Sequence, residues 1–362
     1  MGDGPKSAPL RWLAALGFSL VATACGGASP TTTAVAPAPT PTPGRAGPPN
    51  VILIVADDMG WGDLSSYGAP TIKTPEIDRL AADGVRLTQF VVVAAVCTPS
   101  RGAILTGLYP VQSRITANLG IADDRPGLTA ATPSLATLLK GRGYATAAIG
   151  KWGLGDSPTR TMPLENGFDS YYGTVYGIDD PQIEGNSGAA VGVPREYIER
   201  EFARRASAFV TANASRPFFL YYASHIPHTP LVAAPEFKGH SAGGRYGDVV
   251  EELDHYVGQV MQAVRAAGVE SSTLVWFLSD NGPPMLIREE HGSPGPFGGP
   301  GKDTPFESGI RVPGIVSWPG TVPPGQVVGT PVSSIDIVPT VAAVSGATLP
   351  SRFIYFGADV RP

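Results

Sequence analysis

Several short stretches of the chain are continuously apolar and rich in β-branched or aromatic residues. They are Val51 to Ala56, Tyr144 to Ile149, Pro217 to Ala223, Leu274 to Leu278 and the shorter Val312 to Val316. Runs of this length without alternating polar positions predict strands covered on both faces of a sheet. Between them, apolar residues recur at helical spacing in Pro75 to Asp83, Pro133 to Arg142, Glu196 to Ala212 and Val249 to Ala267. Strands alternating with helices predict an α/β fold, a large and mostly parallel sheet sandwiched between helices. Ligands of such sheets bind beyond the carboxyl ends of the strands. The polar residues directly after each run are therefore the first candidates: Asp57 and Asp58, Lys151, Ser224 with His225, and Asp280 with Asn281.

Ahead of the first strand the pattern changes. Lys6 and Arg11 flank the start of an apolar run from Trp12 to Ala24. That run is too short to span a bilayer comfortably and has the layout of a secretory signal. Val21-Ala22-Thr23-Ala24-Cys25-Gly26 resembles a bacterial lipoprotein signal, in which Cys25 becomes the lipidated first residue. An ordinary cleaved signal with an inert Cys25 is the alternative. Pro30 to Pro49 is almost wholly Pro, Ala, Thr and Gly, which predicts an extended, solvated tether.

Charge and cysteine usage narrow the possibilities. The 362 residues carry a formal net charge of -5 and no basic cluster, so there is no electrostatic footprint for nucleic acid. An anionic ligand must be held by a local cationic site. Cys25 and Cys97 are the only cysteines and stand in unlike contexts, so no structural disulfide is expected.

Cys97-Thr98-Pro99-Ser100-Arg101 precedes Gly102-Ala103-Ile104-Leu105-Thr106-Gly107. Pro99 suits the first position of a helix with Thr98 as its cap, which puts Cys97 where backbone amides favour an anion. Arg101, one turn on, can reach back to the same place. Alone, a cysteine flanked by apolar residues is usually just packed. Read whole, Cys-x-Pro-Ser-Arg followed by x-x-x-Leu-Thr-Gly resembles the signature of the formylglycine-dependent sulfatases, arylsulfatase-like members of the alkaline phosphatase superfamily. The resemblance continues in order over Asn50 to Ala347. It takes in Asp57-Asp58-Met59-Gly60, Gly150-Lys151-Trp152, His225-Ile226-Pro227-His228-Thr229-Pro230, Asp280-Asn281-Gly282, and Gly301-Lys302-Asp303 leading to Glu307-Ser308-Gly309-Ile310-Arg311.

Asp57, Asp58, Asp280 and Asn281 make an all-oxygen set suited to a hard cation. The resemblance implies Ca²⁺, with Mg²⁺ second, and adds Cys97 as a ligand. It also implies that a maturation enzyme reads the Pro and Arg of the motif and oxidises Cys97 to formylglycine. Lys151, His228 and Lys302 would join the metal in neutralising the sulfate, with His225 as a further substrate contact. By family analogy, one hydroxyl of the formylglycine hydrate, deprotonated with help from Arg101 and the metal, attacks sulfur. His228 or Lys302 protonates the leaving oxygen, and the second hydroxyl expels sulfate. The substrate implied is a small-molecule or glycan sulfate ester.

The expected organisation is a lipoprotein-type signal peptide at 1–24, a linker at 25–49, a sulfatase catalytic domain at 50–347 and a truncated start of the C-terminal region at 348–362. The protein would be exported and held at the bacterial cell envelope, periplasmic or surface-exposed, by its lipid alone. Most of the family's smaller C-terminal domain is expected to be absent. Either the sequence is a fragment, or the enzyme is natively minimal, with the exposed sheet flank covered another way, for example by a partner subunit, and with reduced stability. Gly153 stands where the family has a histidine that holds the formylglycine hydrate, and Gly177 where some arylsulfatases have a serine. These departures keep two alternatives open: a phosphonate or phosphate ester hydrolase of the same superfamily, and a catalytically impaired, surface-anchored sulfate or glycan binder. His240 and His291, in Gly-rich loops, are minor candidates for substrate contact. His255 and the pairs Tyr171-Tyr172 and Tyr221-Tyr222 are expected to serve packing.

Overall fold

A computed structural model describes residues 47–120, 123–156, 161–185, 190–284 and 292–361. The signal segment, Cys25, nearly all of the linker and His291 lie outside the described residues. Everything described belongs to one compact unit, Pro41–Pro362.

In chain order the strands are β1 (Asn50–Ala56), β2 (Val85–Leu87), β3 (Phe90–Val91), β4 (Ala145–Gly150), β5 (Ser170–Gly173), β6 (Gln182–Glu184), β7 (Ala190–Val191), β8 (Phe218–Ala223), β9 (Thr273–Ser279), β10 (Gly314–Ser317), β11 (Gln326–Val328) and β12 (Val332–Ser333). The helices are α1 (Pro75–Ala82), α2 (Cys97–Thr106), α3 (Pro110–Ser113), α4 (Leu135–Lys140), α5 (Ile198–Asn213), α6 (Gly244–Ala266), α7 (Glu307–Ile310) and α8 (Ile337–Ser345). Ten strands form one sheet in the order β11-β2-β10-β9-β1-β8-β4-β5-β6-β7, and β12 pairs with β3 separately. The centre, β9-β1-β8-β4-β5, is parallel throughout. Antiparallel neighbours enter only toward the edges, at β10 and β6.

β1 shows why its sequence does not alternate. Ile52, Ile54 and Ala56 pack into a core under α1, α5 and α6, while Val51, Leu53 and Val55 pack into a second core under α2, α4 and α8. With both faces covered, every position is apolar. The same holds for β8 and β9, which flank β1 and are buried along their whole length.

Two helix starts are set by tertiary contacts. Thr74 makes no side-chain cap for α1; instead Asp254 of α6 accepts the N–H groups of Glu76 and Ile77 at 3.2 and 2.8 Å. Helix α6 begins at Gly244, earlier than the Val249 predicted from periodicity. Gly244 and Gly247 weaken the local helical signal. Yet a Cβ on Gly247 would meet Ser241 Oγ at 2.2 Å, so close packing of that loop on the first turn requires glycine there.

Register brings the ends of the central strands level. Val55 pairs with Ala223, Ala56 with Ser279, and Gly150 with Ala223. Asp57, Lys151, Ser224 and Asp280 therefore leave the sheet side by side. Gly150 is held tightly: its φ is +109°, and a Cβ would stand 1.9 Å from the Ala223 carbonyl oxygen. Gly150→Ala is expected to cost about 2 kcal/mol or more and to lower the thermal unfolding midpoint by several degrees. A melt unchanged from the parent would contradict this packing.

Candidate active site

Asp57 and Asp58 follow β1 directly and are almost completely buried. Asp58 turns the chain with φ +70°, a left-handed conformation that Asp tolerates better than most residues. Its N–H donates to Asp280 Oδ1 at 3.1 Å, and the next N–H, of Met59, donates to Ser279 Oγ at 2.8 Å. The end of β9 thus clamps the end of β1.

Cys97 is the first residue of α2, with Val96 as its cap. This corrects the predicted start at Pro99. Thr98 is used otherwise: its N–H donates to Asn118 Oδ1 at 3.0 Å, and its hydroxyl accepts the Leu119 N–H at 3.2 Å. Cys97 still lies at the helix N-terminus as expected. Its Sγ is 3.5 Å from Asp57 Oδ1, 3.9 Å from Asp58 Oδ1 and 3.3 Å from Lys302 Nζ.

Three cations answer three carboxylates. Lys151 Nζ is 2.6 Å from Asp57 Oδ2, and Lys302 Nζ is 2.7 Å from Asp58 Oδ1. Arg101, fully buried, donates from Nε to Asp280 Oδ2 at 2.8 Å, and its Nη2 stands 3.3 Å from Asp57 Oδ1. Burial alone would raise the Asp57 carboxyl. Lys151, His228, Arg101 and Lys302 outweigh it and hold the group well below the usual carboxylate range. At Cys97 burial dominates instead, and with the three aspartates it pushes the thiol up against the opposing pull of Lys151. The unmodified thiol is therefore not an ionised nucleophile.

Asp57, Asp58, Cys97 and His228 offer donor atoms that all lie within 4.8 Å of one another. His228 thus joins the metal candidates alongside the predicted set. Its Nε2 is 3.6 Å from Asp58 Oδ2 and its side chain is one-third exposed, placing it at the mouth. Asn281 donates from Nδ2 to Asp58 Oδ1 at 2.7 Å, while its Oδ1 is buried without a hydrogen-bond partner. An orphaned acceptor beside two carboxylates fits a divalent cation. Asp280 is less free, since one oxygen takes the Asp58 N–H and the other Arg101.

His225 is buried beside the cluster. Its Nε2 lies 2.6 Å from Thr174 Oγ1 and its ring packs against Phe202. Burial lowers its pKa to about 3, so the ring is neutral. Behind it, Glu199 of α5 accepts the Ser224 hydroxyl at 2.9 Å and the His225 N–H at 2.7 Å. Tyr221 belongs to the core, as predicted, but its hydroxyl is also 3.4 Å from Arg101 Nη1. Glu199, Thr174 and Tyr221 carried no motif that marked them. Gly153 does face the cluster: a Cβ there would stand 3.2 Å from Arg101 Cδ and 3.9 Å from Lys151 Cε. Gly177 donates its N–H to Asp180 Oδ2 at 2.8 Å in a neighbouring turn. His240 is exposed on a loop tied to Asp248, and His255 is an exposed α6 residue whose ring lies tilted against Phe237 and edge-on to Tyr256.

The covered parallel sheet and the buried cluster of acids, thiol and lysines beyond its strand ends define an alkaline-phosphatase-like hydrolase. The sulfatase family model matches residues 49–347. Arylsulfatase A of Bos taurus is 38% identical over 346 residues, covering 88% of this chain and 68% of its own length. Steryl-sulfatase of Mus musculus is 37% identical, covering 87% of this chain and 65% of its own length. The chain thus spans about two thirds of these relatives. Among solved structures, Ps i-CgsB in complex with k-i-k-neocarrahexaose superposes with a TM-score of 0.80 at 32% identity, covering 87% of this chain and 76% of that one. The PsFucS1 sulfatase from Pseudoalteromonas sp. gives a TM-score of 0.78 at 30% identity, with 86% and 70% covered. The chain belongs to the sulfatase family, whose members are sulfuric ester hydrolases.

Burial raises Glu199 from an ordinary 4.5 to about 7, and Glu252 to about 8. The folded state thus binds these protons more tightly than the unfolded chain does. Their contribution is full below the usual carboxylate range and is lost as pH rises through about 7 and 8. Glu199→Gln removes the cost of ionising that buried carboxyl, on the order of 3 kcal/mol at alkaline pH. The difference in melting midpoint, variant minus parent, is expected to grow between pH 5 and pH 8; parallel profiles would contradict it.

Proposed function

We propose that the protein hydrolyses sulfate monoesters, aryl or carbohydrate, with position 97 oxidised to formylglycine and a divalent cation, Ca²⁺ before Mg²⁺, beside it. One observation carries this reading: Cys97 Sγ lies at a helix N-terminus within 3.9 Å of both Asp57 and Asp58 and 3.3 Å from Lys302 Nζ. No ordinary core cysteine keeps such company.

Asp57, Asp58 and Asn281 would hold the cation, with Asp280 fixing the Asp58 backbone and Arg101. When bound, the cation supplies Lewis-acid polarisation of a sulfate oxygen and favours a deprotonated hydroxyl at position 97. The aldehyde supplies, as its hydrate, one hydroxyl to take the sulfuryl group and another to release it.

The chain's own side chains do the rest. Lys151 and Lys302 set positive charge where sulfate oxygens would lie. Arg101, immobilised between Asp57 and Asp280, keeps position 97 and both acids in register. His228, at the mouth, is the group with access to the leaving oxygen and would donate its proton there. The net change adds water across the S–O bond, yielding the alcohol and sulfate. The maturation enzyme that reads Cys97 to Arg101 is a required partner. The apolar run from Trp12 to Ala24, ahead of Cys25, supports export and lipid anchoring at the bacterial envelope; incorporation of labelled palmitate, abolished in Cys25→Ala, would support it, and no incorporation in the parent would overturn it.

The reading is tested with 4-nitrophenyl sulfate and 4-nitrophenyl phosphate side by side. The sulfate is expected to be the better substrate. Lys302→Ala and Cys97→Ser are each expected to lower kcat by about 1,000-fold or more, since serine lacks the second hydroxyl. Full turnover by Cys97→Ser, or a preference for the phosphate ester, would overturn it.

A further inference from the structure

Glu199 is a buried acid that no step of the hydrolysis uses. It stands in the first turn of α5, beside the face on which Ile198, Phe202 and Ala206 pack into the core. Its carboxyl is thereby carried to the turn that follows β8, where Oε1 accepts the His225 N–H at 2.7 Å and Oε2 the Ser224 hydroxyl at 2.9 Å. A carboxyl held out of water is costly unless its surroundings compensate it. Among the described residues no lysine or arginine does so for Glu199; its compensation comes from that one turn.

The turn carries His228 to the mouth of the site. The Ser224 N–H donates to the Val55 carbonyl of β1 at 3.0 Å, and the Ser224 hydroxyl, while donating to Glu199, accepts the Ile226 N–H at 2.9 Å. The Ile226 carbonyl accepts the Asp57 N–H at 3.0 Å, and the His225 carbonyl accepts the His228 N–H at 2.9 Å. Two of the turn's backbone donors, one directly and one through Ser224, thus converge on Glu199. At the far end, His228 Nδ1 meets the Thr229 carbonyl oxygen, which can only accept, so Nδ1 carries a proton and Nε2 is the atom turned toward Asp58. The ring is one-third exposed, and its place is set by the backbone of the turn.

We propose that Glu199 is a positioning residue for release of the alcohol: through the turn from Ser224 to His228 it fixes where His228 Nε2 stands. This rests on the sulfate-ester reading above, with His228 as the acid. As the ester S–O bond breaks, its electron pair goes to the alcohol oxygen, and the Nε2 proton follows it there. Glu199 touches neither the ester nor position 97. Glutamine can replace it in shape: its carboxamide oxygen accepts the His225 N–H, and its NH₂ donates to the Ser224 hydroxyl, which keeps a lone pair for Ile226. Alanine leaves the His225 N–H and the Ser224 hydroxyl without their partner.

The test compares two esters. 4-Nitrophenyl sulfate releases a stable phenolate that needs little help from an acid, whereas phenyl sulfate releases a far more basic one. In Glu199→Ala, kcat/KM is expected to fall about 30-fold with phenyl sulfate and about threefold or less with 4-nitrophenyl sulfate. Glu199→Gln is expected to stay within about twofold of the parent with both, and Glu199→Ala/His228→Ala within about twofold of His228→Ala. Ring NMR signals of ¹⁵N-histidine-labelled protein give a readout that needs no turnover. Those of His228, identified by their loss in His228→Ala, are expected to move in Glu199→Ala and to stay in Glu199→Gln, with the exposed His240 unmoved in both. If Glu199→Ala does not fold, Ser224→Ala carries the same readouts, with about a fivefold loss for phenyl sulfate. Equal losses with the two esters, additive losses in the double variant, a glutamine variant as impaired as alanine, or unmoved His228 signals would each overturn the positioning role. A parent that turns over neither ester, with the His228 signals still moving as expected, would overturn the sulfatase reading and leave the placement of His228 by Glu199 standing.

Discussion

Asp57 and Asp58, adjacent carboxylates held out of water at the end of β1, are the constraint that the rest of the structure answers. Removing an ionised carboxylate from water costs several kcal/mol unless charge and hydrogen bonds compensate it. Here Lys151, Lys302 and Arg101 supply the charge, each from a different element, and Asn281 and the backbone supply hydrogen bonds. The compensation works only because β1, β4, β8 and β9 end at one level. A shift of register by one residue would send Lys151 or Asp280 to the opposite face of the sheet. Gly150 and the Asp58 turn are the local devices that hold that level.

A cluster that is balanced without a ligand is also one that a ligand can rebalance. A divalent cation beside Asp57 and Asp58 would take over the neutralisation that the two lysines provide, leaving their charge for an incoming anion. That exchange would account for acids and lysines being interleaved around Cys97 rather than segregated. It also explains how a chain with net negative charge can hold an anionic substrate: the attraction is local and set by short distances, not by a global field.

The fold was legible wherever burial is two-sided. β1, β8 and β9 announced themselves as unbroken apolar runs because helices cover both faces. The short strands β2, β5, β6, β7 and β11 left no such trace, since two to four residues carry too little pattern. The start of α2 was misplaced because Pro99 and Thr98 suit more than one helical position, and Thr98 is engaged by Asn118 and Leu119 instead. At the site, the residues within ordered motifs came together, with Lys302 Nζ 2.8 Å from Asp58 Oδ2 across 244 positions of sequence separation. Glu199, Thr174 and Tyr221 stayed hidden because their roles depend on contacts between distant segments, and each alone reads as an ordinary helix, loop or core residue. The exposed mouth position of His228 was equally invisible, although the residue itself was marked.

The central claim is that the one thiol lodged among these charges is not the reacting group until it is chemically changed. The most direct measurement is the intact mass of the proteolytic peptide containing Cys97, taken from protein expressed in its native host. The account predicts a peptide lighter by about 18 Da than the encoded sequence, as sulfur and two hydrogens give way to one oxygen. An unaltered thiol in protein that turns over sulfate esters would contradict it.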